Sequence, residues 1–320
     1  MQSVIILQSV IILQSVFYPV IRIMSSLTFR VRADWAETTR RMEREKRRLL
    51  GLILGVVFFS AVVVGVVDRL PLSTAWRSFL SELASICLWP AVAVGYAWRG
   101  QRSARRMAAG AYLTLAVIMA FTDYLTKAGL PGMLLESSRA GQSILYTGGV
   151  MLLVWPLAVG LARRAPEQAR LIGLDFTRWL LWLAWGLGVG ILLAGHLLLT
   201  MKFARVPLTL KPWPYMAWHL FYEGGIQSFS EELFFRGMVF SYFLTRRGQN
   251  FWLAAIVTSL LYICVFLVKI QWSASVLILA GTVFYGFMMN ICCAALYRWA
   301  GSIVPAVACN AVLGLAPILR

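Results

Sequence analysis

Four charged side chains sit where charge is least welcome. Glu223, Glu231, Glu232 and Arg236 fall within the apolar stretch 215–244, the last three inside Ser230-Glu231-Glu232-Leu233-Phe234-Phe235-Arg236-Gly237. An ionised residue at the centre of a membrane span costs about 2.5–3.5 kcal/mol on an insertion scale, so such residues need a partner or a task. No acidic residue follows Glu232 anywhere in the chain. Arg236 must therefore find its anion close by, and Glu232, four residues back on the same helical face, is the expected partner. Glu231, at a different azimuth, is left to point into the bundle. Two plainer roles compete with a site here. Ser228-Phe229-Ser230-Glu231 fits a capping box that would start a helix after the breaker Gly224-Gly225. Alternatively, Glu232 and Arg236 form an internal salt bridge whose role is to lower the cost of insertion.

The other chemistry-bearing residues are sparse. There are two histidines, His196 and His219, and no H-E-x-x-H pattern, so a zinc site has no support and no metal or other cofactor is expected. His196 reads as a packed, hydrogen-bonded histidine in a span. His219, beside Trp213, Tyr215 and Trp218, reads as interfacial. The five cysteines (Cys87, Cys264, Cys292, Cys293, Cys309) all lie in apolar segments without C-x-x-C spacing, and are expected to be small packing residues.

These residues have to be positioned by membrane helices. Of the 320 residues 60% are hydrophobic and 13% charged, with a mean hydropathy of +0.75. Soluble domains carry about 25% charge, and disorder needs low hydrophobicity, so both classes are excluded. Apolar runs near 49–67, 78–98, 107–122, 143–161, 179–199, 215–244, 251–268, 276–297 and 303–317 suit spans of about 17–25 residues. The fold class expected is an all-α, polytopic transmembrane helix bundle of 8–9 spans, the third and ninth runs being short. The net charge of +17 comes from Lys and Arg in the short gaps. Counted in alternate gaps they number nineteen on the side of the N-terminus against nine opposite, which places the N-terminus in the cytoplasm. The basic residues are then expected to meet anionic lipid at the cytoplasmic face, with no nucleic acid as partner. Glycines in Gly186-Leu187-Gly188-Val189-Gly190 permit close helix contact.

Four regions follow. Residues 1–23 repeat Gln-Ser-Val-Ile-Ile-Leu at 2–7 and 8–13, a period of six that suits neither helix nor strand. They are expected to lie outside the true product, with Met24 as the start; a signal peptide is the alternative, although no basic residue precedes the apolar run. Residues 24–48 form a basic segment at the membrane surface, 49–169 the N-terminal transmembrane helices, and 170–317 the region that carries the motifs.

The run Glu231-Glu232-Leu233-Phe234-Phe235-Arg236-Gly237 closely resembles the first motif of the CAAX-protease and bacteriocin-processing (CPBP) family of intramembrane endopeptidases, which includes the Ras-converting CAAX protease. The resemblance extends over roughly residues 170–317, with Leu296-Tyr297-Arg298-Trp299-Ala300-Gly301-Ser302-Ile303-Val304-Pro305 similar to the approach to the last motif. It implies a helical fold with a catalytic cavity opening to the membrane and peptide hydrolysis without a covalent intermediate. Carried over by position, Glu231 is the water-activating base, Glu232 its partner and Arg236 the orienting cation. The second motif, an aromatic followed four residues later by histidine, falls on Tyr262 and Phe266. The third, histidine and then asparagine or aspartate four residues later, falls on Asn310 and Gly314. Two expected histidines are absent. Phe266 can neither donate nor shuttle a proton, whereas Asn310 can still donate through its amide. Losing one oxyanion donor commonly costs about 10²–10³ in rate. The sequence thus leads to a CPBP homologue with impaired or absent proteolysis, serving as a partner-binding, assembly or maturation subunit of a larger membrane complex. The alternative is an active glutamate-dependent protease on a membrane protein or peptide substrate. The expected location is a bacterial-type cytoplasmic membrane, spanned several times.

Overall fold

A computed structural model describes residues 46–67, 69–97, 158–160, 162–203, 222–246, 250–269 and 276–315, with isolated positions at 106, 109–110, 113, 117 and 209. The terminal repeat, nearly all of the basic segment before Lys46, most of the runs 107–122 and 143–161, and His219 lie outside the described residues. All regular structure among the described residues is helical, with no strand. Helix α1 runs Lys46–Val67 and α2 Thr74–Glu82, continuing through a π turn, Leu83–Cys87, into α3, Leu88–Ala97. A short α4, Pro166–Leu171, precedes α5, Trp179–Phe203. The motif segment is one continuous helical path. A π turn at Glu223–Gln227 leads into α6, Ser228–Glu232, a second π turn at Leu233–Phe240 and α7, Ser241–Arg246. Helices α8 (Phe251–Lys269), α9 (Val276–Ala300) and α10 (Val304–Gly314) follow.

Among the described residues, five helical stretches are long and apolar enough to cross a membrane: Arg47–Val67, Leu80–Ala97, Trp179–Phe203, Phe251–Val268 and Leu279–Ala300. The protein is an integral membrane protein. Its outward side chains agree, with Phe58 71% and Ile191 61% exposed on α1 and α5, as lipid contact requires. Helix α10 has 11 residues, about 16 Å at 1.5 Å per residue, which is half the hydrocarbon thickness. The run at 303–317 therefore enters the bundle as a short helix among the described residues.

The capping-box expectation fails. Gln227, the residue before Ser228, has helical φ and ψ of −65° and −59° and offers no side-chain cap. The pair Gly224-Gly225 lies inside a π turn that feeds straight into α6. A break at this depth would leave backbone N–H and C=O groups unpaired where no water can take them, so the helix carries on through its glycines.

Close packing aims α10 at the motif helix. A Cβ on Gly186 would collide with the Pro305 carbonyl and crowd Ala308, and one on Gly190 would lie 2.8 Å from Val312 Cβ and 3.0 Å from the Cys309 carbonyl. Gly188, between them, faces open space. Two glycines four residues apart thus let α5 and α10 touch backbone to backbone, the small-residue packing expected in a membrane. Gly237, which ends the charged motif, meets the Ile172 backbone in the same way. The turn after α4 is pinned to the start of α10 by Ile303 N–H donating to the Gly173 carbonyl (2.9 Å) and Ser302 Oγ to the Asp175 carbonyl (2.6 Å). On the far side, Trp89 stacks on Phe234 (ring centroids 6.0 Å) and meets Phe235 edge-on (5.2 Å), while its indole N–H donates to Ser60 Oγ (3.0 Å). The motif helix is held from both flanks.

Candidate functional site

Glu231, Glu232 and Arg236 are 2%, 0% and 0% exposed, at the centre of the cluster built by the motif helix, α8, α9 and α10. Glu231 is reached from three directions. Gln227 Nε2, one turn before it, donates to Oε1 at 3.0 Å. Tyr262 on α8 donates its hydroxyl to Oε2 at 2.9 Å, and Asn310 on α10 donates its amide to the same oxygen at 2.9 Å. The Asn310 amide also reaches Glu232 Oε1 at 2.9 Å, so its two N–H groups bridge the two carboxylates. Glu232 Oε2 lies 3.0 Å from Arg236 Nε. That N–H is aimed too poorly to count as a hydrogen bond, so the contact is coulombic. Arg236 Nη2 donates to the Asn290 carbonyl at 3.4 Å, while Nη1 has no hydrogen-bond partner among the described residues.

All four residues picked from the sequence, Glu231, Glu232, Arg236 and Asn310, thus meet in one place. The i,i+4 pairing of Glu232 with Arg236 is as the spacing requires. Glu231 is not free to point into an open bundle. It is the most heavily ligated carboxylate of the set, because the π turns on either side of α6 rotate its face onto α8 and α10. One ligand, Gln227, escaped the sequence reading and could have been found, since it lies four residues before Glu231. Tyr262 is marked by the resemblance as the aromatic of the second motif, but nothing local marks its hydroxyl as a donor to Glu231. Its ring is wedged edge-on to Phe235 (5.2 Å) and stacked on Phe266 (5.8 Å, 14° between planes). Phe266 therefore reaches the site only as an aromatic wall.

A carboxylate accepts about four hydrogen bonds, and Glu231 already accepts three. The chemistry left to it is narrow: one open acceptor position, no imidazole within the described cluster, and almost no exposure. Among the described residues no group of three or more His, Cys, Asp or Glu side chains is disposed to hold a metal ion. The cysteines are free thiols, buried at 87, 292, 293 and 309 and exposed at 264. His196 is packed as the sequence indicates, with Nδ1 2.7 Å from the Tyr285 hydroxyl, far from the glutamates in its bonding.

Residues 212–315 match the family described as type II CAAX prenyl endopeptidase, Rce1-like. That segment contains every residue of the cluster, from Gln227 to Asn310, so the match covers the part of the chain that builds the site. No curated protein and no solved structure matches the chain.

Proposed function

We propose that this Rce1-like membrane protein is a CAAX-protease-type homologue whose glutamate centre holds the bundle together and does not turn over peptide efficiently, the protein serving as a partner-binding or assembly subunit in the membrane. One observation carries the reading: three side chains from three separate helical segments all donate to Glu231. A general base must keep a lone pair for its water and a donor for the developing oxyanion beside it. Here the donors are spent on the carboxylates themselves. Asn310 has no N–H left, and the Tyr262 hydroxyl has its single proton on Glu231. Phe266 supplies no replacement. The same bonds suit a structural lock well, since buried carboxylates in a membrane need saturation by fixed dipoles.

The basic residues before the first span face the cytoplasm in this reading and contact anionic headgroups, and the membrane is of the bacterial cytoplasmic type. The test is purification in mild detergent from native membranes of the wild type and of Glu231→Gln, with mass spectrometry of what comes with each. A stoichiometric membrane protein retained equally by both supports the subunit role. Precursor proteins or peptides ending in a CAAX-type tail, enriched only on Glu231→Gln, would mean a trapped substrate and a working protease.

A further inference from the structure

We infer that Glu223 is a further member of this centre, a positioning residue whose carboxylate occupies the volume that the CAAX-protease pattern gives to a polar side chain at position 314. The meaning of position 314 rests on the Rce1-like reading; the rest is geometry. Gly314 is the last residue of α10, and a Cβ built on it would lie 2.6 Å from Glu223 Oε2 and 2.9 Å from its carboxyl carbon. No real Cβ keeps such distances, so a side chain at 314 would push the flexible end of Glu223 out of the place it now holds. Glu223 is 8% exposed, at the start of the π turn that ends at Gln227.

The spacing on the two helices makes this more than one tight contact. Glu223, Gln227 and Glu231 recur every four residues along the motif helix, and Asn310 and Gly314 are four apart on α10. At one end of the pair Asn310 donates to Glu231. At the other, Glu223 fills the gap over Gly314. The helices run in opposite directions through these two rungs, and the polar group absent from one is supplied by the other. The third motif has therefore exchanged a side chain on α10 for one on the motif helix. Restoring a polar residue at 314 alone displaces the Glu223 carboxylate, because the two side chains compete for one volume.

A double-mutant cycle on the full chain in detergent, read by thermal unfolding, tests this. Gly314→Asn alone lowers the melting temperature by on the order of 5 °C, the scale of overpacking a buried site. In a Glu223→Ala background the same substitution has no further effect, or raises the melting temperature. With Glu223→Gln, which keeps the shape, the loss returns. Should Gly314→Asn fail to fold, Gly314→Ala puts a methyl against the same carboxylate and must show coupling of the same sign. Equal losses from residue 314 in all three backgrounds overturn the inference. The readout needs no activity: cleavage of a CAAX peptide by the wild type would overturn the proposed function and leave this coupling standing, and additive losses would do the reverse.

Discussion

Two polar clusters are buried to different degrees in this helix bundle. The glutamate centre contains charge, draws on the motif helix and three further helices, and is 5% exposed at most among Glu231, Glu232, Arg236, Asn310 and Tyr262. The second cluster, His196, Thr200 and Tyr285, joins only α5 and α9, and its histidine and threonine are half-buried. Its bonds form a directed neutral chain. The Thr200 hydroxyl donates to the His196 carbonyl (2.9 Å), so the Tyr285 hydroxyl must donate to Thr200 (2.9 Å) and accept from His196 Nδ1 (2.7 Å). That assigns the ring proton to Nδ1 by elimination. The difference teaches that charge rather than polarity decides how completely a site in this protein is enclosed. Three neutral groups satisfy one another at the bundle's edge, whereas two carboxylates recruit donors, and a guanidinium acceptors, from around the core.

The sharpest way to break this comparison is to strand a charge. Glu232→Ala leaves Arg236 buried without its anion and is expected to cost about 3–5 kcal/mol, enough to abolish a monodisperse product in detergent. A silent Glu232→Ala, judged by thermal unfolding, would mean that the pair does not hold the bundle. Asn310→Ala removes the bridge between the two carboxylates, and hydrogen bonds to charged groups are worth about 1.5–3 kcal/mol, so a loss near the top of that range is expected. Tyr262→Phe deletes a single donor from Glu231 and should cost about 1.5 kcal/mol by the same measure. Tyr285→Phe, in the neutral cluster, breaks two bonds between uncharged groups at a half-open site, with about 1 kcal/mol expected. If Tyr285→Phe proved as damaging as Glu232→Ala, the distinction between the clusters would fall.

Much of this was legible in the sequence where the interaction is local. The Glu232–Arg236 pair follows from i,i+4 spacing and the absence of any later acid. The contacts of Gly186 and Gly190 follow from small residues four apart, although Gly188 was equally eligible and faces open space. What stayed hidden depends on rotation between helices. Tyr262 was legible as the second motif's aromatic, but its bond to Glu231, 31 positions away, was not, since it depends on Phe235 and Phe266 holding the ring. The π turns that set the face of Glu231 leave no mark in residue types, since they occupy apolar and glycine-bearing stretches that suit an ordinary α-helix equally well. The capping box was misread for a related reason: a pattern that starts helices in water has no such force inside a membrane, where the backbone must stay paired.

The central claim is that the donors around Glu231 are spent on the carboxylates, so that it cannot act as an efficient base. It is tested most directly by cleavage of a prenylated CAAX-type reporter peptide in vesicles holding the full chain, wild type against Glu231→Gln. The account predicts no turnover above the Glu231→Gln background. Measurable cleavage by the wild type that disappears with Glu231→Gln would contradict it.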